Sequence, residues 1–231
     1  MNIGCIASSS AGNCYTIDDG FTTIILECGI SYDRILKGLN YNLNKVAGCL
    51  VTHGHLDHCI AAKDMKLNGV ELYASEGTQE EMNINCNTVK NLEQFEIGTF
   101  NIMPFYVQHN ANEPLGFVLA SQETDEQVLF AIDTYHVTQQ FRGITHLLIE
   151  CNHSLEDIAD VSDIHIKNAL ENHMSLENLL IVLDKTVTKQ TEEIYLIHLS
   201  ESNLDKERAK KTVVRATGKP VFIAGKKGGF E

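Results

Sequence analysis

The segment Thr52-His53-Gly54-His55-Leu56-Asp57-His58 places four potential metal ligands within six residues, directly after the apolar run 46–52. Imidazoles and a carboxylate are costly to bury without partners, so core packing does not account for this density. A strand that ends on alternating His53 and His55 projects both rings to one side, and a following turn brings Asp57 and His58 to the same spot. Imidazole nitrogens suit Zn²⁺, whereas a carboxylate adds charge and tolerates a harder second ion such as Mn²⁺. The expectation is a metal centre at the end of a buried strand, the alternative being a polar loop whose groups satisfy one another.

The rest of the chain must supply the sheets that hold such a centre. Residues 3–7, 14–17 and 22–27 read as short strands joined by the small-residue turn 8–13 and by Asp18-Asp19-Gly20. Ser31 reads as the N-cap of a short helix over 31–39, and further helices are expected over 59–67 and 75–82 with a strand at 70–74 between them. Strands return at 92–97, 99–108, 115–121, 127–132 and 145–150. Helices over 160–172 and 175–185, the second capped by Ser175, precede a strand at 194–199, a basic helix over 204–216 and a strand at 220–224. Strands, a mixed stretch and strands again predict an α/β fold in which two packed sheets lie between helices. With 231 residues, 43% of them hydrophobic, only three prolines and no low-complexity tract, one domain is expected.

Eighteen basic against 31 acidic residues give a net charge of −13, which disfavours non-specific attachment to polyanions. Eight of the basic residues, Lys206, Arg208, Lys210, Lys211, Arg215, Lys219, Lys226 and Lys227, nevertheless fall in the last 26 positions. They read either as a solvated helix face or as a local contact for an anion. Seven cysteines without CxxC spacing read as reduced core thiols, which fits a cytoplasmic protein. No basic segment followed by an apolar one opens the chain, and no apolar run reaches the length of a membrane span, so neither an export signal nor a membrane anchor is expected.

His-x-His-x-Asp-His after an apolar strand resembles the metal motif of the metallo-β-lactamase fold hydrolases. The similarity extends through Ala7-Ser8-Ser9-Ser10-Ala11-Gly12-Asn13-Cys14-Tyr15, Pro104-Phe105-Tyr106-Val107-Gln108-His109-Asn110-Ala111, Glu150-Cys151-Asn152-His153 and Ile197-His198-Leu199-Ser200-Glu201-Ser202-Asn203. These segments resemble the YycJ/WalJ branch over nearly the whole chain. The resemblance implies an αββα four-layer sandwich with two divalent metal ions at the edge between its sheets. It implies His109 as the third histidine of the first metal, Asp133 as the carboxylate bridging both, and His198 as the remaining histidine of the second. His53, His55, Asp57 and His58 complete that set. For His109, Asp133 and His198 the plainer readings are, in that order, a surface histidine, an aspartate capping a turn, and a strand-end histidine.

His173, in Asn172-His173-Met174-Ser175, resembles a Gly-His-Leu-Ser segment of that branch and the His-Ser-Thr segment of RNase Z. By that resemblance it contacts phosphate or protonates the leaving oxygen; the plainer reading is a helix C-terminal histidine held by the helix dipole. Ser9 and Asn13 in the small-residue turn, and His153 after the strand 145–150, are candidate substrate contacts, with a bare turn and an exposed loop histidine as the alternatives. His136, His146 and His165 read as structural or surface residues.

Two cations sharing a bridging aspartate and a water would bring that water's pKa down to about 7, with Asp57 orienting the nucleophile. By family resemblance, a histidine at 55 disfavours the diiron branch and an aspartate at 133 disfavours the antibiotic-hydrolysing branch. Thioester and phosphodiester hydrolysis remain, and the late histidine favours phosphodiesters. The branch implies a DNA exonuclease, so the expected partner is a nucleic acid or nucleotide and not a membrane. A phosphodiesterase for cyclic or other small nucleotides is the second reading, because so acidic a chain offers a polymer few phosphate contacts. A non-catalytic metal-stabilised binding protein is the third, disfavoured because no ligand position is missing. Asp133-Thr134-Tyr135 and Asn172 stand where the resemblance expects Asp-Leu-Gly and a glycine, so the local loops should differ although no ligand is lost.

Overall fold

In the strand Gln127–Ala131, Val128 and Phe130 join one apolar cluster while Leu129 and Ala131 join another, so both faces of the sheet are buried. Strands of this kind read as continuous apolar runs, and a one-residue slip would exchange the two faces. The computed structural model describes residues 1–158 and 163–231. Its first sheet contains β1 (Asn2–Ala7), β2 (Cys14–Asp18), β3 (Thr23–Leu26), β4 (Val46–Leu50), β5 (Leu72–Ala74) and β6 (Asn87–Thr88) in spatial order. The first three are antiparallel, and β3 to β6 are parallel. The second sheet contains β7 (Phe95–Ile97), β8 (Phe100–Tyr106), β9 (Leu115–Ser121), β10 (Gln127–Ala131), β11 (His146–Glu150), β12 (Glu193–Ile197) and β13 (Val221–Ile223). It repeats the succession, antiparallel to β10 and parallel thereafter.

The helices are α1 (Tyr32–Gly38), α2 (Leu56–Cys59), α3 (Ala62–Leu67), α4 (Glu76–Met82), α5 (Ile164–Asn172), α6 (Leu176–Thr186) and α7 (Lys206–Thr217). Tyr15, Ile24, Leu26, Phe100, Phe117 and Phe130 fill the layer between the sheets. Ile35 and Met65 cover the outer face of the first sheet, and Leu179, Leu183 and Val213 that of the second. The expected αββα sandwich is therefore present. Ser175 caps α6 by accepting from the Asn178 N–H, as its sequence suggests, whereas Ser31 flanks α1 without a side-chain cap bond.

Three local expectations need correction. The helix expected over 59–67 is broken between α2 and α3, because the Asp57 carbonyl that Ala61 would need accepts from the Asn13 N–H (2.9 Å), while the Ala61 N–H donates to Cys28 (2.9 Å). The strand expected over 92–97 starts only at Phe95, since Leu92 sits at φ 61° and donates to Pro104. The short β6 carries two exposed polar residues and has no apolar pattern to announce it. The start of the helix expected over 160–172 lies outside the described residues.

Backbone contacts hold the histidine-rich segment against the first sheet. Cys28 N–H donates to the His58 carbonyl (2.8 Å), Asn13 N–H to that of Asp57, and Gly29 N–H to that of Asn13 (2.9 Å). A Cβ at Gly29 would lie 1.7 Å from the Asp57 carbonyl oxygen and 2.7 Å from the His58 nitrogen, both backbone atoms with no room to yield. Gly29→Ala is therefore expected to destabilise the fold by about 2–3 kcal/mol, read from the midpoint of urea unfolding, because overpacking here displaces the metal-motif backbone itself.

Candidate metal centre

The carboxyl ends of parallel strands from both sheets meet at one edge, where ligands of open α/β sheets commonly gather. His53 and His55 follow β4, Asp133 follows β10, Glu150 ends β11 and His198 follows β12. The expected strand end at 52 is corrected to Leu50, so both early histidines stand on extended chain beyond the sheet. Asp133 and His198 adopt φ of 46° and 53°, and Glu27, next after β3, adopts 65°. Left-handed backbone is sparsely populated by residues with a side chain, and it turns these three inward where a continuing strand would carry them past the edge.

All seven expected ligand side chains converge. Donor atoms of His53, His55, His109 and Asp133 lie within 4.8 Å of one another, and so do those of Asp57, His58, Asp133 and His198. Asp133 belongs to both groups. Its Oδ2 is 3.7 Å from His53 Nε2, 3.6 Å from His109 Nε2 and 3.2 Å from His58 Nε2, and its Oδ1 is 2.9 Å from His198 Nδ1. His55 Nδ1 lies 3.0 Å from His53 Nε2 and 3.3 Å from His109 Nε2, and Asp57 Oδ2 lies 3.4 Å from His58 Nε2. His53, His58, Asp133 and His198 are buried, while His55, Asp57, His109 and His173 are half-buried and face the opening.

The arrangement fits two divalent cations on structural grounds. His198 Nε2 is buried without a hydrogen-bond partner, which is unusual for a polar atom unless a further species satisfies it. Charge points the same way. Burial would raise the Asp133 carboxyl, but His198 and His58 hold it well below its ordinary value. Burial opposes charge on His58 and His198 too, yet Asp133 keeps both imidazoles protonated, His198 up to about 10. Burial and His58 push His53 down. In this state protons do what cations would do, namely neutralise a buried carboxylate, and divalent ions would displace them.

Two buried glutamates that carry no role in the sequence reading stand behind the ligands. Glu27 Oε2 lies 3.6 Å from His58 Nδ1, and its carboxylate accepts from the Thr52 N–H. Glu150 Oε1 lies 3.0 Å from His198 Nδ1 and 2.7 Å from His173 Nδ1, and Oε2 accepts from the Thr134 and Met174 N–H groups. Burial disfavours charge on Glu150, but His173 and these bonds hold it at about 2; His173 is raised in turn by Glu150 and Asp133 against its own burial. A sequence signal existed, because each glutamate follows a run of apolar residues and precedes a cysteine, in Ile25-Leu26-Glu27-Cys28 and Leu148-Ile149-Glu150-Cys151.

The substrate-contact expectations fare differently. Asn13 is fully buried, its Oδ1 accepting from Ser9 N–H and the Tyr15 hydroxyl and its Nδ2 donating to the Asp57 carbonyl, so it braces the motif and faces no substrate. His153 is buried where its backbone bridges to Ser175, and is neither an exposed loop histidine nor part of the ligand groups. Ser9 is largely buried, with its hydroxyl accepting from Ala11 N–H, and it borders an outer cavity. His146 is buried at the opposite end of β11, 3.5 Å from Glu193, and His136 is half-buried. The side chain of His165 lies outside the described residues.

Comparison with known proteins agrees with this geometry. The chain is 25% identical to the exodeoxyribonuclease YycJ of Bacillus anthracis, over 97% of this chain and 92% of that protein. It is 28% identical to the exodeoxyribonuclease WalJ of Streptococcus pneumoniae, over 90% of this chain and 85% of that one. Among solved structures, the metallo-β-lactamase fold protein YhfI of Bacillus subtilis superposes with a TM-score of 0.73 at 14% identity, covering 99% and 98% of the two chains. The short form of human tRNase Z does so with 0.63 at 12% identity, covering 97% and 96%. A family profile described as beta-lactamase superfamily domain matches residues 22–199. The chain therefore belongs to the beta-lactamase superfamily, as a metal-dependent hydrolase of the metallo-β-lactamase fold.

Proposed function

We propose that this chain is a two-metal phosphodiesterase that hydrolyses DNA. The observation that carries the reading is the shared position of Asp133 in two ligand groups, with the Glu150–His173 pair beside it. His53, His55 and His109 with Asp133 would hold one cation, and Asp57, His58 and His198 with Asp133 would hold the other. The histidine-rich set favours Zn²⁺, and the carboxylates also accommodate Mn²⁺. Once bound, the pair supplies Lewis-acid charge and a water nucleophile usable at neutral pH.

The chain's own residues do the rest. Asp57, at the mouth, orients the nucleophile. Glu150 keeps His173 charged from one ring nitrogen, which leaves the other to give a proton to the departing sugar oxygen. His173 is the exposed partner of that pair, with 14% of its side chain accessible against none of Glu150, so a substrate reaches the acid and not its support. Glu27 and Glu150 fix ring orientation from behind, as outer carboxylates do for metal-bound histidines.

DNA as substrate is supported by the two exodeoxyribonucleases, whose length the chain largely covers. A small nucleotide as substrate is the second reading, favoured by the net charge of −13. The seven free thiols support a reducing, cytoplasmic setting, and no helix among the described residues is long and apolar enough to cross a membrane.

Purified protein of measured metal content, offered single-stranded DNA, RNA and cyclic nucleotides, is expected to cleave DNA. Turnover of cyclic nucleotides alone would transfer the assignment to the small substrate. His55→Ala is expected to lower DNA hydrolysis by more than the about 100-fold that loss of an outer partner costs. His173→Ala should keep its metal yet lose about 10²–10⁴-fold in kcat, as loss of a general acid does. Glu27→Gln should weaken metal affinity about 10–100-fold in a competition titration against a chelating indicator.

A further inference from the structure

Two cavities outside the metal centre meet at the side chains of Arg34 and Lys227. One, of about 450 Å³, is walled by Ser9, Ala11, Gly12, Arg34, Lys226 and Lys227. The other, of about 430 Å³, continues past Lys37 and the Gly228 and Gly229 backbone. We propose that this cationic groove seats the phosphodiester backbone of a single DNA strand whose end is processed at the metal centre. The inference rests on the phosphodiesterase reading above and adds the path of the strand.

Position is the first argument. The turn 8–13 lies between groove and metal centre. On its inner side Ser8 Oγ accepts from the His198 N–H (2.9 Å), and Asn13 holds the Asp57 carbonyl. On its outer side Ser9, Ala11 and Gly12 form the groove wall. One turn of chain thus separates the groove wall from the backbone that carries the ligands.

Charge is the second. Four of the eight basic side chains near the C-terminus are held internally: Lys206 by Glu201, Arg208 by Glu156 and Asp157, Lys210 by the Glu231 carbonyl and Lys219 by that of Thr191. Of the eight, Lys226 and Lys227 border these cavities. Arg34, Lys226 and Lys227 are exposed and make no ion pair among the described residues, and Lys226 lies within electrostatic reach of Glu201. Lys37 pairs with Asp33 at 2.7 Å. On a chain of net charge −13, three unpaired cations around adjoining cavities make a local site for a polyanion.

Rigidity is the third. Lys226 and Lys227 stand at the tip of a tight turn in which Gly225 N–H donates to Gly229 and Gly228 N–H to Gly225. Gly229 N–H donates in turn to Cys5 of β1 (2.9 Å). Gly228 has φ of 101°, and a Cβ there would come within 2.8 Å of the Ile6 carbonyl, so glycine allows the turn to lie flat on β1. The two cations thus project from fixed backbone, and less order is lost when phosphates bind.

The test is fluorescence anisotropy with a labelled single-stranded DNA of about 12 nucleotides. Asp57→Asn serves as the parent, so that the strand survives the measurement. Arg34→Gln/Lys227→Gln is expected to weaken binding about tenfold at about 0.1 M salt and to lower the slope of log affinity against log salt by about 1.4, at about 0.7 per lost phosphate contact. The charge-matched control Lys211→Gln/Arg215→Gln, on the exposed face of α7, is expected to keep both values, and Arg34→Lys/Lys227→Arg to retain binding. A groove variant that binds like its parent, or an equal loss in the control, would overturn the groove. Wild-type protein that neither binds nor cleaves the strand would overturn the DNA reading, and the groove with it.

Discussion

The carboxylate of Asp133 is buried where the two sheets meet, with Nε2 of His58 3.2 Å from one oxygen and Nδ1 of His198 2.9 Å from the other. A lone carboxylate in such a place would be untenable, since burying an unpaired charge costs several kcal/mol or more even after relaxation. Compensating positive charge is therefore a condition of the fold at this edge as well as of the chemistry. Both ligand groups include this one side chain, so the separation and tilt of the two sheets are coupled to the geometry of the centre.

Support comes in two further rings. Behind the histidines, Glu27 and Glu150 place buried acceptors against His58, His173 and His198. Beneath the motif, the backbone of Cys28 and Gly29 lies directly on Asp57 and His58, leaving no space for a side chain. Glu27, Asp133 and His198 each hold a left-handed backbone, at about 1–3 kcal/mol apiece, and each stands just past a strand that the sheet restrains. Strain of this size persists where surrounding hydrogen bonds over-determine the conformation, and here strand ends supply them.

Several features were legible because they are local. His53 to His58 lie within six residues, 128–131 of β10 and 147–149 of β11 are apolar without interruption, and Ser175 stands where a helix needs an acceptor. Others depended on partners remote in sequence. Nothing near residue 60 reveals that Asn13 takes the carbonyl that would have continued the helix. Nothing around Asn13 reveals that its amide nitrogen donates to the carbonyl of Asp57. The basic C-terminal helix is conspicuous in composition, yet Lys206 and Arg208 are paired with acidic groups and Lys210 donates to a carbonyl, while Arg34, inconspicuous in its own segment, joins Lys226 and Lys227 at the cavity.

By itself the sequence determined the ligand types, the order in which they occur and the strands that would carry them, because these follow from side-chain chemistry and from short-range periodicity. Only the tertiary structure decided that Glu27 and Glu150 back the histidines and which lysines remain open to an anion. The physical reason is that charge compensation and hydrogen-bond satisfaction are settled between neighbours in space, and neighbours such as Ser8 and His198 are separated by 190 residues of chain.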